Sequence, residues 1–169
     1  KINLLIVDDE EEYIDLMSGI LEKEGYTIYT SNSGPGALEL LKSKKIDIVL
    51  LDILMPTMLG YAVCEQIREN YNARPIQIVL VSGLVDDMFL ERALEVGGDD
   101  FIHKPIVPIE LQRRIKAAAI RLKSQLKLYY EREHLKETVA EKDSEHEHLK
   151  KEFENIKKRN IELSSSNKK

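Results

Sequence analysis

Short apolar runs alternate five times with amphipathic stretches along this chain, and that alternation constrains the fold more than any other feature. The runs occupy residues 4–7, 26–30, 46–51, 76–81 and 101–103, and the second and fifth are the weaker ones. Continuous apolar runs of this length read as strands buried on both faces. The stretches between them, near 11–24, 35–43, 58–71, 87–97 and from 108 onward, carry the three-to-four residue spacing of helices. Pro35 and Pro108 stand where helices begin, because proline in a first turn sacrifices no hydrogen bond. Gly25 and Gly97 stand where helices end, because glycine accepts the left-handed cap. Strand and helix in strict alternation imply parallel strands joined by right-handed crossovers, hence a doubly wound α/β sheet.

In such sheets, ligands bind at the carboxyl ends of the strands, near the switch in strand order. That rule selects Asp8, Asp9, Asp52, Ser82 and Lys104, each at or just beyond the end of an apolar run. Singly, each has a plainer reading. Asp8 and Asp9 would suit the start of a helix, Asp52 a loop cap, Ser82 a strand end, and Lys104 a solvated surface. All five coinciding on one sheet edge is what argues against those readings.

Composition adds limits. Apolar residues make up 43% and charged residues 33%, the balance of a soluble globular protein. No apolar run approaches the roughly 20 residues needed to span a bilayer, so no membrane partner is expected. The chain opens directly on an apolar strand, without a cleavable signal pattern, and its single cysteine, Cys64, cannot form an internal disulfide. Both fit the cytoplasm, with Cys64 as an ordinary apolar residue on a helix. Residues 1–113 hold 10 Lys+Arg against 20 Asp+Glu, whereas residues 114–169 hold 15 against 10. An acidic globular domain is therefore followed by a mixed-charge tail.

Val7-Asp8-Asp9-Glu10, Leu51-Asp52-Ile53-Leu54-Met55-Pro56, Val81-Ser82-Gly83 and His103-Lys104-Pro105 resemble the receiver domains of bacterial response regulators in residue type, order and spacing. The intervals are 44 residues from Asp8 to Asp52, 30 from Asp52 to Ser82 and 22 from Ser82 to Lys104. The resemblance covers residues 1–120 and implies a flavodoxin-like five-stranded sheet in order 2-1-3-4-5. It implies Asp52 as phosphoryl acceptor, with Mg²⁺ held by Asp9 and Asp52 directly, Asp8 through water, and the Leu54 carbonyl. Ser82, Gly83, Phe101 and Lys104 are implied as phosphoryl-binding and switch residues, with Lys104-Pro105 in the often-cis arrangement. The implied partner is a histidine kinase or phosphotransfer protein. Such a domain is no enzyme beyond catalysing its own phosphorylation and dephosphorylation. Leu54 and Leu84 match positions that border the path of hydrolytic water in the family. Two leucines there should crowd that path and lengthen the lifetime of the phosphorylated form.

The tail reads as one helix from Pro108 to Leu163, free of Gly and Pro after its first residue. From Leu135 onward a heptad seam places Val139, His146, Phe153 and Asn160 at a, and Leu135, Lys142, Leu149, Ile156 and Leu163 at d. Glu145 and Glu152 at g face Lys150 and Lys157 at e, pairs that meet in a parallel, in-register dimer. Ile115, Ala119, Leu122, Leu126 and Tyr129 keep the same alternation upstream, but the six-residue step to Leu135 shifts the phase. The expectation is a parallel homodimer through residues 115–163, with 121–163 as coiled coil and 164–169 as a linker or frayed end. The basic residues of the tail alternate with acids, which argues against nucleic acid. An alternative is that the chain is the regulatory half of an enzyme, such as a cyclic-dinucleotide synthase or phosphatase, whose catalytic domain lies beyond residue 169.

Overall fold

A computed structural model describes residues 1–71, 73–83 and 87–166, and of residues 87–90 and 161–166 the backbone alone. Among these described residues five strands, β1 (Asn3–Val7), β2 (Thr27–Ser31), β3 (Ile48–Asp52), β4 (Gln77–Ser82) and β5 (Asp100–His103), alternate with five helices. The helices are α1 (Glu11–Lys23), α2 (Gly34–Ser43), α3 (Gly60–Asn70), α4 (Asp87–Glu95) and α5 (Pro108–Ser166). All strand pairs are parallel, in the order β2-β1-β3-β4-β5 expected of the flavodoxin-like fold.

Residues of β1, β3 and β4 are buried on both faces because helices cover the sheet on each side. One core packs Val7, Val49, Leu51, Ile78 and Leu80 against Ala37, Val63, Ile67 and Val96. The other packs Leu4, Ile6, Leu50 and Val79 against Met17, Leu21, Leu111, Ile115 and Leu122. Cys64 belongs to the first core; burial pushes its thiol up to about 11, the behaviour of an inert packing residue. Gly25 and Gly97 both take φ +88°, where a side chain would be strained, and each closes a helix as expected.

Element boundaries shift by one or two residues from the sequence reading, and three differences bear on the site and the tail. Ile46 is buried, yet β3 begins at Ile48, because the Asp47 carboxylate turns aside to accept the Asn3 N–H and pair with Arg74. The third helix starts at Gly60 rather than 58, since the loop after β3 must first fold back, Gly60 N–H donating to Ile53 O at 2.9 Å. Ile115 and Leu122, expected on the tail's pairing seam, are fully committed to the second core, with Ala119 and Leu126 packed beside them.

The chain divides into two compact units, Lys1–Lys127 and Leu128–Lys169. The second consists of the later part of α5, helical through Ser166, so residues 164–166 of the expected linker are helix. Leu128, Leu135, Val139, Leu149, Phe153 and Ile156 are exposed along it. No helix among the described residues is long and apolar enough to cross a membrane.

Candidate phosphoryl-acceptor site

Strand order assembles this site. β1 lies beside β3 with Val7 opposite Leu51, so Asp8 and Asp52 emerge together at the carboxyl edge. β3 lies beside β4 with Asp52 opposite Val81, and β4 beside β5 with Ser82 opposite His103. The ladder continues one bond further at the last two junctions. Ile53 N–H donates to Val81 O at 2.9 Å, and Lys104 N–H to Ser82 O at 2.8 Å. Backbone pairing alone therefore brings Asp8, Asp52, Ser82 and Lys104 to one end of the sheet.

The carboxylates are buried there: Asp8 is 0% exposed and Asp52 3%. Asp9 beside them is exposed. One oxygen from each of Asp8, Asp9 and Asp52 lies within 4.8 Å of the others. The Lys104 ammonium spans the group, 2.9 Å from Asp8 Oδ2 and 3.2 Å from both Asp52 Oδ1 and Glu10 Oε1. It also sits 4.0 Å from the centre of the Tyr13 ring. The Lys104-Pro105 bond is cis, as the resemblance implied.

A single ammonium does not balance two buried carboxylates with a third alongside. Burial pushes the Asp52 carboxyl up to about 6; Lys104 opposes that rise, and the negative charges of Asp8 and Asp9 add to it. Asp8 is likewise raised by burial, against the pull of Lys104 and the Glu10 N–H at 3.0 Å. Burial would lower Lys104, but the carboxylates of Asp8 and Asp52 outweigh it and hold the ammonium charged. Asp8 Oδ2 is buried with the Lys104 ammonium as its close charged neighbour. Surplus negative charge and three clustered carboxylates offering hard oxygen donors together fit a small divalent cation such as Mg²⁺.

Ser82 is fully buried at the end of β4, and Phe101 is half-buried against the first core, its ring 4.7 Å from that of His103. A Cβ at Gly83 would meet nothing within 4 Å, so the surroundings there are open. Leu54 is 47% exposed on the loop after β3. Leu84 lies outside the described residues.

Three contributors escaped the sequence reading. Glu10 and Tyr13 reach Lys104 across about ninety residues of sequence, a contact that no local pattern signals. Gly60 lies against the backbone of Asp52: a Cβ there would stand 2.1 Å from the Asp52 carbonyl oxygen. A glycine opening a helix soon after an acidic strand end was the available signal for it.

Residues 4–116 match the response regulator receiver domain family. The chain belongs to that family. It is 36% identical over 120 residues to the regulatory protein VanR of Enterococcus faecium, a match covering 71% of this chain and 51% of VanR. It is also 36% identical over 114 residues to the alkaline phosphatase synthesis transcriptional regulatory protein PhoP of Bacillus subtilis, covering 68% of this chain and 47% of PhoP. The matched receiver segment thus spans about half the length of these regulators. Among solved structures, a CheY-like response regulator receiver domain protein from Methanospirillum hungatei superposes with a TM-score of 0.67 at 28% identity, over 75% of this chain and 97% of that one.

Proposed function

We propose that this receiver takes a phosphoryl group onto Asp52 from a histidine kinase or phosphotransfer protein, and that the modified state regulates an output through the tail. The observation that carries this reading is the pair of buried carboxylates from adjacent strands, with Lys104 2.9 Å from Asp8 and 3.2 Å from Asp52. Burial without full neutralisation leaves Asp52 a reactive oxygen nucleophile rather than a spent ion-pair partner. Its oxygen attacks phosphorus, the bond from phosphorus to the donor breaks, and a mixed anhydride remains. Lys104, already held at the site, offers its ammonium to the phosphoryl oxygens as charge shifts toward them. The Ser82 hydroxyl serves the same group from β4. Asp8, Asp9, Asp52 and the Leu54 carbonyl would hold Mg²⁺, which when bound screens the like charges of nucleophile and phosphoryl group. Phe101, on β5 beside β4, would relay the change by packing, since it carries no hydroxyl.

The exposed apolar positions of α5 from Leu128 onward support a parallel coiled-coil homodimer as the element that phosphorylation tightens or loosens. Because Ile115 and Leu122 serve the core, pairing would begin near Leu128 rather than at 115. The receiver would work in the cytoplasm with no membrane or nucleic-acid contact of its own. The named relatives are regulatory proteins about twice its matched length, so the output would be a further segment, transcriptional or enzymatic. Leu54, with Leu84, is proposed to slow hydrolysis; Leu54→Asn with Leu84→Glu should shorten the phosphorylated lifetime about tenfold, equivalent to about 1.4 kcal/mol. Unchanged decay after donor removal would exclude that role. The function itself is tested with acetyl phosphate and Mg²⁺: labelling should require both and vanish with a chelator. Labelling that persists without metal would overturn the proposed chemistry.

A further inference from the structure

At the opposite end of the sheet from Asp52 lies a cavity of about 510 Å³, bounded by the start of β1, the residues before β3 and β4, and α5. Its volume falls in the range of small-molecule sites. The floor is apolar, formed by Ile2, Ala119, Ile120, Leu122 and Leu126, and Ile120 remains 62% exposed although its surroundings are apolar. The rim is basic, with Lys45, Arg74, Lys116 and Lys123. This is discordant with a domain whose first 113 residues hold twice as many acids as bases.

The local charges do not cancel. Among the described residues, Asp47 is the one acid lining the cavity, and both its oxygens are engaged. Oδ1 pairs with Arg74 at 2.5 Å, and Oδ2 accepts the Asn3 N–H at 2.8 Å. Among the described residues, Lys45, Lys116 and Lys123 make no ion pair. Arg74 Nε is buried and without an acceptor. An apolar floor beneath unneutralised cations, with a buried N–H lacking an acceptor, has the complementarity of an amphiphilic anion.

We propose that this cavity is a second binding site of the chain, for a small carboxylate with an alkyl body. The alkyl body would lie along Ile2, Ala119 and Ile120, and the carboxylate would meet Arg74 and the lysines. Because the floor is built on α5, occupancy would bear on the helix that leads into the tail, independently of phosphorylation at Asp52.

Octanoate titrated into the full 169-residue chain and followed by amide chemical shifts tests the site. Saturable shifts should centre on Ile2, Lys45 and Ile120, with a Kd at or below about 1 mM. Octylammonium, of equal length and opposite charge, and acetate, of equal charge without the body, should each bind about tenfold more weakly or less. The double variant Lys116→Glu with Lys123→Glu should weaken octanoate about tenfold. Both lysines are solvent-exposed, so the fold should survive, and Ile120→Asp provides an independent variant with the same expectation. No saturable shift with octanoate, equal binding of octylammonium, or undiminished affinity in folded variants would overturn the proposal.

Discussion

At the scale of single residues, the decisive quantity is the cost of ionising Asp52. Its carboxyl is pushed up to about 6 by burial, from the ordinary 3.8. Between those two values the folded chain holds a proton that the unfolded chain has released. Stability contributed by this group is therefore present in full below about pH 4 and is lost as pH rises through about 6. Asp8 shifts in the same direction and deepens the slope. In metal-free buffer, denaturation midpoints should fall from pH 4.5 to 7 by an amount worth about 2 kcal/mol, and Asp52→Asn should remove most of that fall. Above pH 6 the asparagine variant should accordingly melt several degrees higher than the parent. A metal-free midpoint that rises with pH over this window would refute the charge assignment. Calcium or magnesium should restore the parent at neutral pH, since cations bind only the ionised carboxylates.

At the scale of elements, the loop after β3 shows what holds Asp52 in place. Gly60 approaches the Asp52 carbonyl so closely that a methyl group would fall 2.1 Å from it, against backbone that the sheet cannot yield. Gly60→Ala should cost about 3 kcal/mol in denaturant unfolding and reduce phosphoryl acceptance. Gly19→Ala is the matched control. It lies within α1 with nothing within 4 Å of the added carbon, and should stabilise by about 0.5–1 kcal/mol. Equal effects of the two substitutions would remove Gly60 from the site. These elements also show what the sequence could reveal. Strands buried on both faces advertise themselves as apolar runs, and the carboxyl-edge rule then locates Asp8, Asp52, Ser82 and Lys104 with no coordinates. The start of β3 was misplaced because Ile46 is core without being strand. Gly60, Glu10 and Tyr13 were missed because their roles arise from approaches through space, which residue spacing does not encode.

At the scale of the whole molecule, α5 serves two masters in sequence. Its early residues Leu111, Ile115 and Leu122 complete the second core, and its later apolar positions are exposed. Periodicity alone carried the expected pairing face upstream to Ile115, across the phase shift between Tyr129 and Leu135, because a helix face that packs on a sheet and one that packs on another helix share the same spacing. The compact unit ending at Lys127 marks where the shortened chain should be cut. Light scattering should find residues 1–127 monomeric and residues 1–169 dimeric at micromolar concentration. Two monomers would dismiss the coiled coil while leaving the receiver untouched.

The central claim, that Asp52 is the phosphoryl acceptor, rests on one carboxylate and is tested by intact mass after exposure to acetyl phosphate and Mg²⁺. The parent chain should gain a single phosphoryl group, and Asp52→Asn, which keeps the size and loses the nucleophile, should gain none. Equal phosphorylation of the two proteins would contradict the assignment.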